Sequence, residues 1–389
     1  MDTALFKKSP SGRLVKASGG YWAFVPNNLP PRLEWDDALV SLMSNADIAL
    51  GTLSGLGETL PNPHLLIYPF IRREAVLSSR IEGTQSSLSD LLLFEATEIE
   101  KRGDVREVQN YVRAMENGLK RLSELPLSLR FIREMHGILM EGVRGEHATP
   151  GEFRQSQNWI GSSGASLNEA TFVPPPVPDM QECLNQLEKF LHAGNKLPPL
   201  VEAALVHYQF ETIHPFLDGN GRIGRLLVTM LLCQRNVLSK PLLYLSAFFE
   251  QHRQDYYDLL MKVSSTGAWR QWIEFFLKAV IEQSGDAVSR SRRLQELHRD
   301  YTQLAREKRL PPTALQLVEL VLMKPVLSTN TAQEFLKITY PGAQKAIKAL
   351  QEAGILTEIT GRKRDKAYAA NAVLKALDGE TSPEEKSTR

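Results

Sequence analysis

The feature that most restricts the fold of this sequence is a helical pattern of apolar residues that runs from Asp36 to about residue 309. In its first segment, Leu39, Leu42 and Ala46 recur at the spacing of one helix face. One long stretch, residues 144–178, breaks the pattern and is rich in Gly, Pro, Ser and Asn. We therefore expect a mainly α protein with one insert of loops and short strands.

Changes in composition predict five regions along the chain. The arm of residues 1–35 is expected to be irregular, and a helix is expected at about 69–83, with Gly83 as its stop. The five regions are an arm with helices (1–110), a helical core (111–285), a helical linker (286–309), a compact unit (310–377) and a disordered polar tail (378–389).

Composition also limits the class of protein. The formal net charge of +1 over 389 residues says nothing about partners. Only Cys183 and Cys233 are present, which excludes a disulfide framework and a cysteine-rich zinc site. Neither a signal peptide nor a run of about 18 apolar residues is found. We expect a cytoplasmic protein without a membrane span.

The segment "HPFLDGNGRIGR", residues 214–225, puts cations where a helix disfavours them. A long apolar helix is expected to start near Gly221, with Arg222 and Arg225 in its first turn, where the backbone dipole is already positive. A glycine-rich turn that leads into a helix also forms a concave anion site. Because guanidinium groups bind phosphate in a bidentate manner, a polyphosphate would stabilise both arginines.

Two side chains beside these arginines add chemistry. The Asp218 carboxylate, next to phosphates, suits Mg²⁺, and His214 suits a general base that activates a hydroxyl. Each residue type alone is common in caps, turns and salt bridges. Their combination within twelve positions indicates a polyphosphate-binding site with a base for a hydroxyl nucleophile.

This segment matches the complete signature H-P-F-x-D-G-N-G-R-x-x-R, and the chain therefore resembles the Fic-domain proteins. The resemblance implies a helical enzyme that transfers AMP from ATP to a Ser, Thr or Tyr hydroxyl of a target protein and releases pyrophosphate. His214 would accept the hydroxyl proton, and Asp218 would bind Mg²⁺. The residues implied to hold the nucleotide in this loop are Gly219, Asn220, Gly221, Arg222, Ile223, Gly224 and Arg225.

The related Doc kinases carry Lys at the position of Gly221 and transfer the γ-phosphate, so Gly221 favours AMP transfer. The family also has a β-hairpin flap that binds the target main chain by strand addition. Residues 158–175 fit such a flap, with Ile160 and Gly161 as candidate target contacts, although an ordinary surface hairpin fits equally well. Tyr256 and Tyr257 are candidates to flank the adenine, unless they belong to the core.

Glu82 is predicted to lie in the last turn of its helix, where a negative charge is unfavourable. Pairing with Arg225 would relieve both charges. Ser78, Glu82 and Gly83 match the inhibitory motif [S/T]-x-x-x-E-[G/N] of Fic proteins, and Ser78 and Glu82 share one helix face. The resemblance implies that Glu82 competes with the γ-phosphate for Arg225. A role of Glu82 in removing AMP, by activating a water, stays open.

Residues 310–377 resemble a winged helix–turn–helix. "STNTAQEFLKI" would be the first helix of the motif, "YPGAQKAIKALQEAGIL" the second with Gly354 as its stop, and "TEITGRKRDKAYAA" the wing. Twelve Lys or Arg stand against six Asp or Glu from Arg306 to Lys375. The candidate DNA contacts are Gln344, Lys345 and Lys348 in the second helix and Arg362, Lys363, Arg364 and Lys366 in the wing. Dimerisation or protein docking fits the same unit.

Three functions follow. The leading hypothesis is a protein adenylyltransferase, held back by Glu82, whose target is another protein or the chain itself. The second is a DNA-binding regulator or toxin-like module with a nucleotide-sensing Fic core. The third is transfer of another phosphate-containing group, or removal of AMP. Fic cores often self-associate, so the resemblance also allows a homodimer.

Overall fold

The computed structural model describes residues 1–59, 62–98, 100, 103–143, 149–161, 164, 166–194, 196–362 and 365–378. The helices are α1 (Asp37–Thr59), α2 (His64–Ile81), α3 (Leu88–Thr97), α4 (Val105–Arg121), α5 (Leu129–Leu139), α6 (Val177–His192), α7 (Pro199–Ile213), α8 (Asn220–Gln234), α9 (Ser246–Gln251), α10 (Arg253–Thr266), α11 (Trp269–Glu307), α12 (Pro312–Met323), α13 (Thr329–Leu336), α14 (Tyr340–Glu352) and α15 (Asn371–Asp378). The strands are β1 (Gly12–Lys16), β2 (Trp22–Pro26), β3 (Val326–Ser328), β4 (Thr357–Glu358) and β5 (Ala367–Ala369).

The chain forms two compact units, and the prediction of a mainly α fold is confirmed. The first unit contains residues 1–54 and 110–284, and the second contains residues 55–109 and 285–389. Residues 286–307 of the linker predicted at 286–309 form the second half of the long helix α11.

The core of the first unit is the helix pair α7 and α8. Both helices are buried on nearly all sides, as expected for helices that carry apolar residues all round. Gly224 lets the two helices pack closely, because a Cβ there would lie 3.3 Å from Phe210 Cδ1. Trp272 of α11 fixes a further side of the core, since its indole Nε1–H donates to the Ala204 carbonyl at 2.8 Å.

The N-terminal arm is a β-hairpin, so the prediction of an irregular segment at 1–35 was wrong there. β1 and β2 pair antiparallel, and the Phe24 N–H donates to the Val173 carbonyl at 2.9 Å. Phe6, Phe24 and Phe172 pack together in one cluster. These strands are stabilised by residues far along the chain, and local patterns do not record such contacts.

The end of the second unit is a winged helix, as predicted. Helices α12 to α14 accompany a sheet of order β3–β5–β4, in which β3 lies between α12 and α13 and the other two strands follow α14. The Ser328 hydroxyl caps α13 by accepting from the Thr331 N–H at 3.2 Å, and Gly354 follows the end of α14 with a φ of 82°. The sequence did not predict β3 or α15. Lys363, Arg364 and residues 379–389 lie outside the described residues.

Helix α2 also belongs to the second unit, and it starts at His64 rather than near Pro69. Pro69 lies inside the helix and lacks one N–H, which removes one backbone hydrogen bond. Burial of Leu66, Phe70 and Ile71 offsets that loss. Helix α2 contacts α3, α12 and α15, so the winged helix covers part of its surface.

Among the described residues, α1 is the helix long and apolar enough to cross a bilayer by length and composition, with a mean hydropathy of 1.2. Only 22% of the 18-residue window of α1 with this hydropathy is buried. A single helix of this kind is weak evidence for a membrane span, so the expectation of no membrane span stays a prediction.

Candidate functional site

The loop between α7 and α8 carries the motif of residues 214–225. Two of its residues have left-handed backbones, His214 with a φ of 50° and Gly219 with a φ of 76°. The buried Asn220 side chain closes the loop: its Oδ1 accepts from the Phe216 N–H at 2.9 Å, and its Nδ2 donates to the Phe216 carbonyl at 2.8 Å. Any contact of Asn220 with phosphate would therefore come from its backbone amide.

The His214 imidazole has one defined tautomer in its neutral form. Its Nδ1 lies 3.1 Å from the Glu211 carbonyl oxygen. A carbonyl can only accept, so Nδ1 carries the proton and Nε2 carries the lone pair. This is the arrangement that a general base needs, and the ring is only half-buried.

Asp218 presents its carboxylate at the mouth of the loop, with 49% of its side chain exposed. Its Oδ1 accepts from the Gly219 N–H at 2.6 Å and lies 3.6 Å from an Arg222 amino nitrogen. The described residues contain no group of three or more His, Cys, Asp or Glu that would hold a metal by itself. One exposed carboxylate beside an anion site fits Mg²⁺ that shares its coordination with phosphate oxygens.

Arg222 and Arg225 are 3% and 4% exposed at the N-terminus of α8. Two guanidinium groups at this end of a helix produce a positive potential in a site of low dielectric constant. The apolar Ile223 side chain is fully buried, and Gly224 faces α7, where Glu211 Oε1 would overlap an added Cβ. Ile223 and Gly224, both predicted to contact the nucleotide, therefore contribute to the packing of α8 against its neighbours.

His136, which no sequence pattern predicted as a site residue, supports the loop. The ring stacks on Phe216, with centroids 3.7 Å apart, and its Nε2 donates to the Asp218 carbonyl at 3.0 Å. Its Nδ1 accepts from the Gly151 N–H at 2.9 Å. Burial, together with the charge of Arg222, lowers the pKa of His136 to about 4, so the ring is neutral. Its partners are distant in sequence, which explains why no local signal marked it.

His207 is a second missed histidine, buried beneath α8. Its Nε2 lies 2.8 Å from the Tyr256 hydroxyl, and its ring stacks against Trp272. Burial lowers the pKa of His207 to about 3. A hydrogen bond to the Gly224 backbone raises the pKa, but by less than burial lowers it. Tyr256 is thus a core residue, 1% exposed. Tyr257 is 40% exposed and stays the candidate for adenine contact.

The predicted flap is present as one antiparallel residue pair, Ile160 and Phe172. The Ile160 N–H donates to the Phe172 carbonyl at 2.9 Å, and the Phe172 N–H donates back at 3.0 Å. The Ile160 side chain is 38% exposed, and Gly161 is exposed as well. In such pairing the flanking residues direct backbone groups to the opposite edge, which suits strand addition. Residues 162, 163 and 165 lie outside the described residues.

The candidate inhibitory motif lies at the end of α2. Glu82 is the C-cap and is exposed, Ser78 is fully buried, and Gly83 has a φ of 97°. The Gly83 N–H donates to the Arg80 carbonyl at 3.0 Å. A carboxylate at this position is unfavourable for the helix, as expected. Glu82 and Arg225 belong to different units, so their pairing stays a prediction.

In the winged helix, α14 exposes Gln344, Lys345 and Lys348, and Arg362 is exposed on the wing. Two of the basic residues have acidic neighbours: Lys348 Nζ lies 3.7 Å from Glu352, and Lys366 Nζ lies 3.3 Å from Glu358. The described candidate DNA contacts on α14 and at Arg362 are therefore accessible, and acidic neighbours balance part of the positive charge.

Three family models match the chain. They are the Fic/DOC family N-terminal region at residues 40–120, the Fic/DOC family at residues 126–232, and an HTH DNA binding domain at residues 315–370. The last match agrees with the winged helix seen in the structure.

Curated relatives include the protein adenylyltransferase Fic of Drosophila grimshawi, 29% identical over 202 residues, and that of Aedes aegypti, 29% identical over 203 residues. Each match covers 50% of this chain, and 38% and 37% of the two relatives. The chain thus spans less than two fifths of the length of the relatives it matches.

Two solved structures have a similar fold. A Fic family protein from Desulfovibrio desulfuricans G20 superposes with a TM-score of 0.56 at 19% identity, covering 88% of this chain and 98% of that chain. A Fic domain containing signaling protein from Bacteroides thetaiotaomicron VPI-5482 gives a TM-score of 0.50 at 21% identity, with 64% and 97% covered. The two Fic/DOC family regions match in order, and the complete motif spans the loop before α8 and the first turns of that helix, so residues 40–232 carry the N-terminal and core domains of the Fic/DOC family.

Proposed function

We propose that the chain is a protein adenylyltransferase that transfers AMP from ATP to a Ser, Thr or Tyr hydroxyl of a target protein. The observation that carries this proposal is the loop from His214 to Arg225, which combines a base of defined tautomer with an anion site. The curated relatives of the Fic region bear the same activity in their names.

In the proposed reaction, the target hydroxyl oxygen attacks the α-phosphorus of ATP. The bond from that phosphorus to the bridging oxygen breaks, and pyrophosphate leaves with the electron pair. The hydroxyl proton passes to His214 Nε2. Backbone amides at the start of α8, with Arg222 and Arg225, bind the triphosphate. Asp218 would hold Mg²⁺, which neutralises phosphate charge when bound.

The flap places the target in this reaction. Strand addition at Ile160 and Gly161 would align a target segment through its main chain, independently of its side chains. Such alignment brings the hydroxyl to His214 without requiring a sequence motif in the target.

Glu82 is the proposed brake on the reaction. Pairing of the Glu82 carboxylate with the Arg225 guanidinium would stabilise both groups, because each lies at the helix end that is unfavourable for its charge. Glu82 and the γ-phosphate would compete for Arg225. With Arg225 bound to Glu82, ATP would bind without productive alignment of its γ-phosphate.

The test uses the Glu82→Gly variant with ATP labelled at either the α- or the γ-phosphate. We expect protein-bound label from the α position only, at a rate on the order of tenfold or more above the unsubstituted chain. A Glu82→Gly chain that also carries His214→Ala is the control and should incorporate none. Label from the γ position would identify a kinase, and equal incorporation with and without Glu82 would exclude the brake.

A second candidate function is binding of duplex DNA by the winged helix. The exposed Gln344, Lys345 and Lys348 on α14 and the HTH family match support it. We expect binding that weakens steeply with salt and is lost in Lys345→Glu with Lys348→Glu, but persists in His214→Ala. Gel-shift titration at two salt concentrations measures this, and salt-independent binding would argue for a protein partner instead.

A further inference from the structure

Arg154 is a charged side chain that is almost fully buried, at 1% exposure. Its Nε donates to the His214 carbonyl at 3.0 Å, and its two amino groups donate to the Ser156 carbonyl at 3.2 Å and the Pro175 carbonyl at 2.6 Å. Burial lowers the pKa of Arg154 to about 10, which leaves it charged at neutral pH. Burying a charge is unfavourable, so these bonds to three separate segments must hold it in place.

Asn158 reaches the same loop from the start of the flap. Its Nδ2 donates to the His214 carbonyl at 3.1 Å and to the Phe216 carbonyl at 2.7 Å. The His214 carbonyl therefore accepts two hydrogen bonds at a residue whose backbone is left-handed, a conformation unfavourable for a residue other than glycine. Two residues further on, Ile160 forms the flap pair.

We propose that Arg154 and Asn158 are positioning residues that join both ends of the flap to the backbone of the catalytic base. Ser156 lies before the flap pair and Pro175 lies after it, and Arg154 binds both as well as His214. The flap and the base thus share one rigid frame, which sets the distance from a bound target hydroxyl to Nε2. This inference rests on the proposed function, because it assigns the frame a role in AMP transfer.

The test compares Asn158→Ala and Arg154→Lys in the Glu82→Gly background. We expect transfer of α-label at saturating ATP to fall by about tenfold or more, because small misplacements have large effects, with the Kd for ATP changed less than about twofold. Arg133→Lys is the matched control, since Arg133 binds the nearby Gly151 carbonyl at 2.8 Å and not His214. An unchanged rate, or a loss of ATP affinity as large as the loss of rate, would overturn the proposal.

Hydrogen exchange separates this proposal from the proposed function. Peptides over residues 154–161 and 214–219 should exchange faster together in Asn158→Ala, and not in Arg133→Lys. This measurement needs no activity, so unchanged exchange overturns the frame even if the parent chain transfers no AMP. If both peptides exchange faster together but the Glu82→Gly chain transfers no AMP, the frame stands and the enzyme assignment is refuted instead.

A separate observation concerns how α2 is held in the second unit. Arg73 of α2 lies 3.4 Å from Asp286 of α11, and Asp286 also accepts from Arg290 Nε at 2.7 Å. Arg290 in turn donates to the Ala376 and Leu377 carbonyls at the end of α15, at 3.1 and 2.6 Å. One polar network of ion pairs and hydrogen bonds therefore connects α2, α11 and the last helix of the winged helix.

We infer that this polar network fixes the position of α2, and with it Glu82, within the second unit, and so sets the strength of the inhibition proposed for Glu82. Asp286 is the centre of the network, because it binds both arginines. Loss of the Asp286 charge would leave Arg73 and Arg290 without their shared carboxylate and loosen α2. The inference deepens the proposed function by naming what sets the strength of inhibition.

The test is Asp286→Asn, made both in the chain that has Glu82 and in the Glu82→Gly variant. We expect label incorporation to rise about fivefold or more when Glu82 is present and to stay unchanged in Glu82→Gly. Glu274→Gln, which removes an ion pair elsewhere on α11, should change neither. Equal effects in both backgrounds, or none, would refute it. Unchanged hydrogen exchange over α2 in Asp286→Asn would do so as well, whether or not AMP is transferred.

Discussion

At the scale of single residues, the loop that carries the motif depends on side chains from elsewhere in the chain. His136 binds the Asp218 carbonyl, and Asn158 binds the carbonyls of His214 and Phe216. They shape a backbone that would otherwise be unfavourable at His214.

Gly224 tests how closely α7 and α8 must pack. In Gly224→Ala, the added Cβ would overlap Glu211 Oε1 and crowd Phe210, so we expect a loss of about 1–3 kcal/mol in the free energy of unfolding. Gly55→Ala is the matched control, because a Cβ there meets nothing within 4 Å and the helix should gain about 0.5–1 kcal/mol. Urea denaturation of both variants measures the difference, and equal shifts would contradict the close packing.

The motif at 214–225 could be predicted because its chemistry is contiguous in sequence. Glycines, arginines, an aspartate and a histidine at fixed spacing specify an anion site before any tertiary contact is known. His136, Arg154 and His207 could not be predicted, since their roles depend on partners brought close by folding. Asn220 shows the opposite case. It was predicted to contact the nucleotide, but its side chain binds the Phe216 backbone and closes the loop.

At the scale of elements, the N-terminal hairpin supports the flap from behind. The Phe24 N–H binds the Val173 carbonyl, and the Phe24 ring packs against Phe172, the partner of Ile160. Helical patterns predicted the helices well, because amphipathic spacing is a local property. The hairpin was missed because its stability comes from this distant pairing.

Phe24→Ala tests that support. Removal of a fully buried aromatic ring should lower the free energy of unfolding by about 3–5 kcal/mol. We also expect faster hydrogen exchange at the amides of Ile160 and Phe172. Trp22→Ala on the same strand, where the ring is 43% exposed, should have a small effect on both. Similar losses in the two variants would show that the hairpin acts only through general stability.

At the scale of the whole molecule, the two buried histidines link stability to pH. His136 and His207 have folded pKa values of about 4 and 3, below the ordinary value of 6.5. The unfolded chain therefore binds more protons, so stability is full above pH 6.5 and falls as the pH drops toward those lower values. Each ring contributes a slope of up to about 1.4 kcal/mol per pH unit.

Urea denaturation at pH 7, 6 and 5 measures that slope. We expect His207→Gln to be less stable at pH 7 but to lose less on acidification than the unsubstituted chain. The exposed His64 supplies the control, since His64→Gln should leave the slope unchanged. A slope that is the same in all three proteins would mean that buried histidines do not cause the acid sensitivity.

The contact of α2 with α12 and α15 bears on how such chains can be recombined. A winged helix is commonly treated as a cassette that can be exchanged at its linker, here near residue 310. In this chain the exchangeable piece is discontinuous, because residues 55–109 and 285–378 fold as one unit. A foreign winged helix joined at residue 310 would leave the buried face of α2 without its native cover. Chimeras should therefore keep their properties only when both segments come from the same parent.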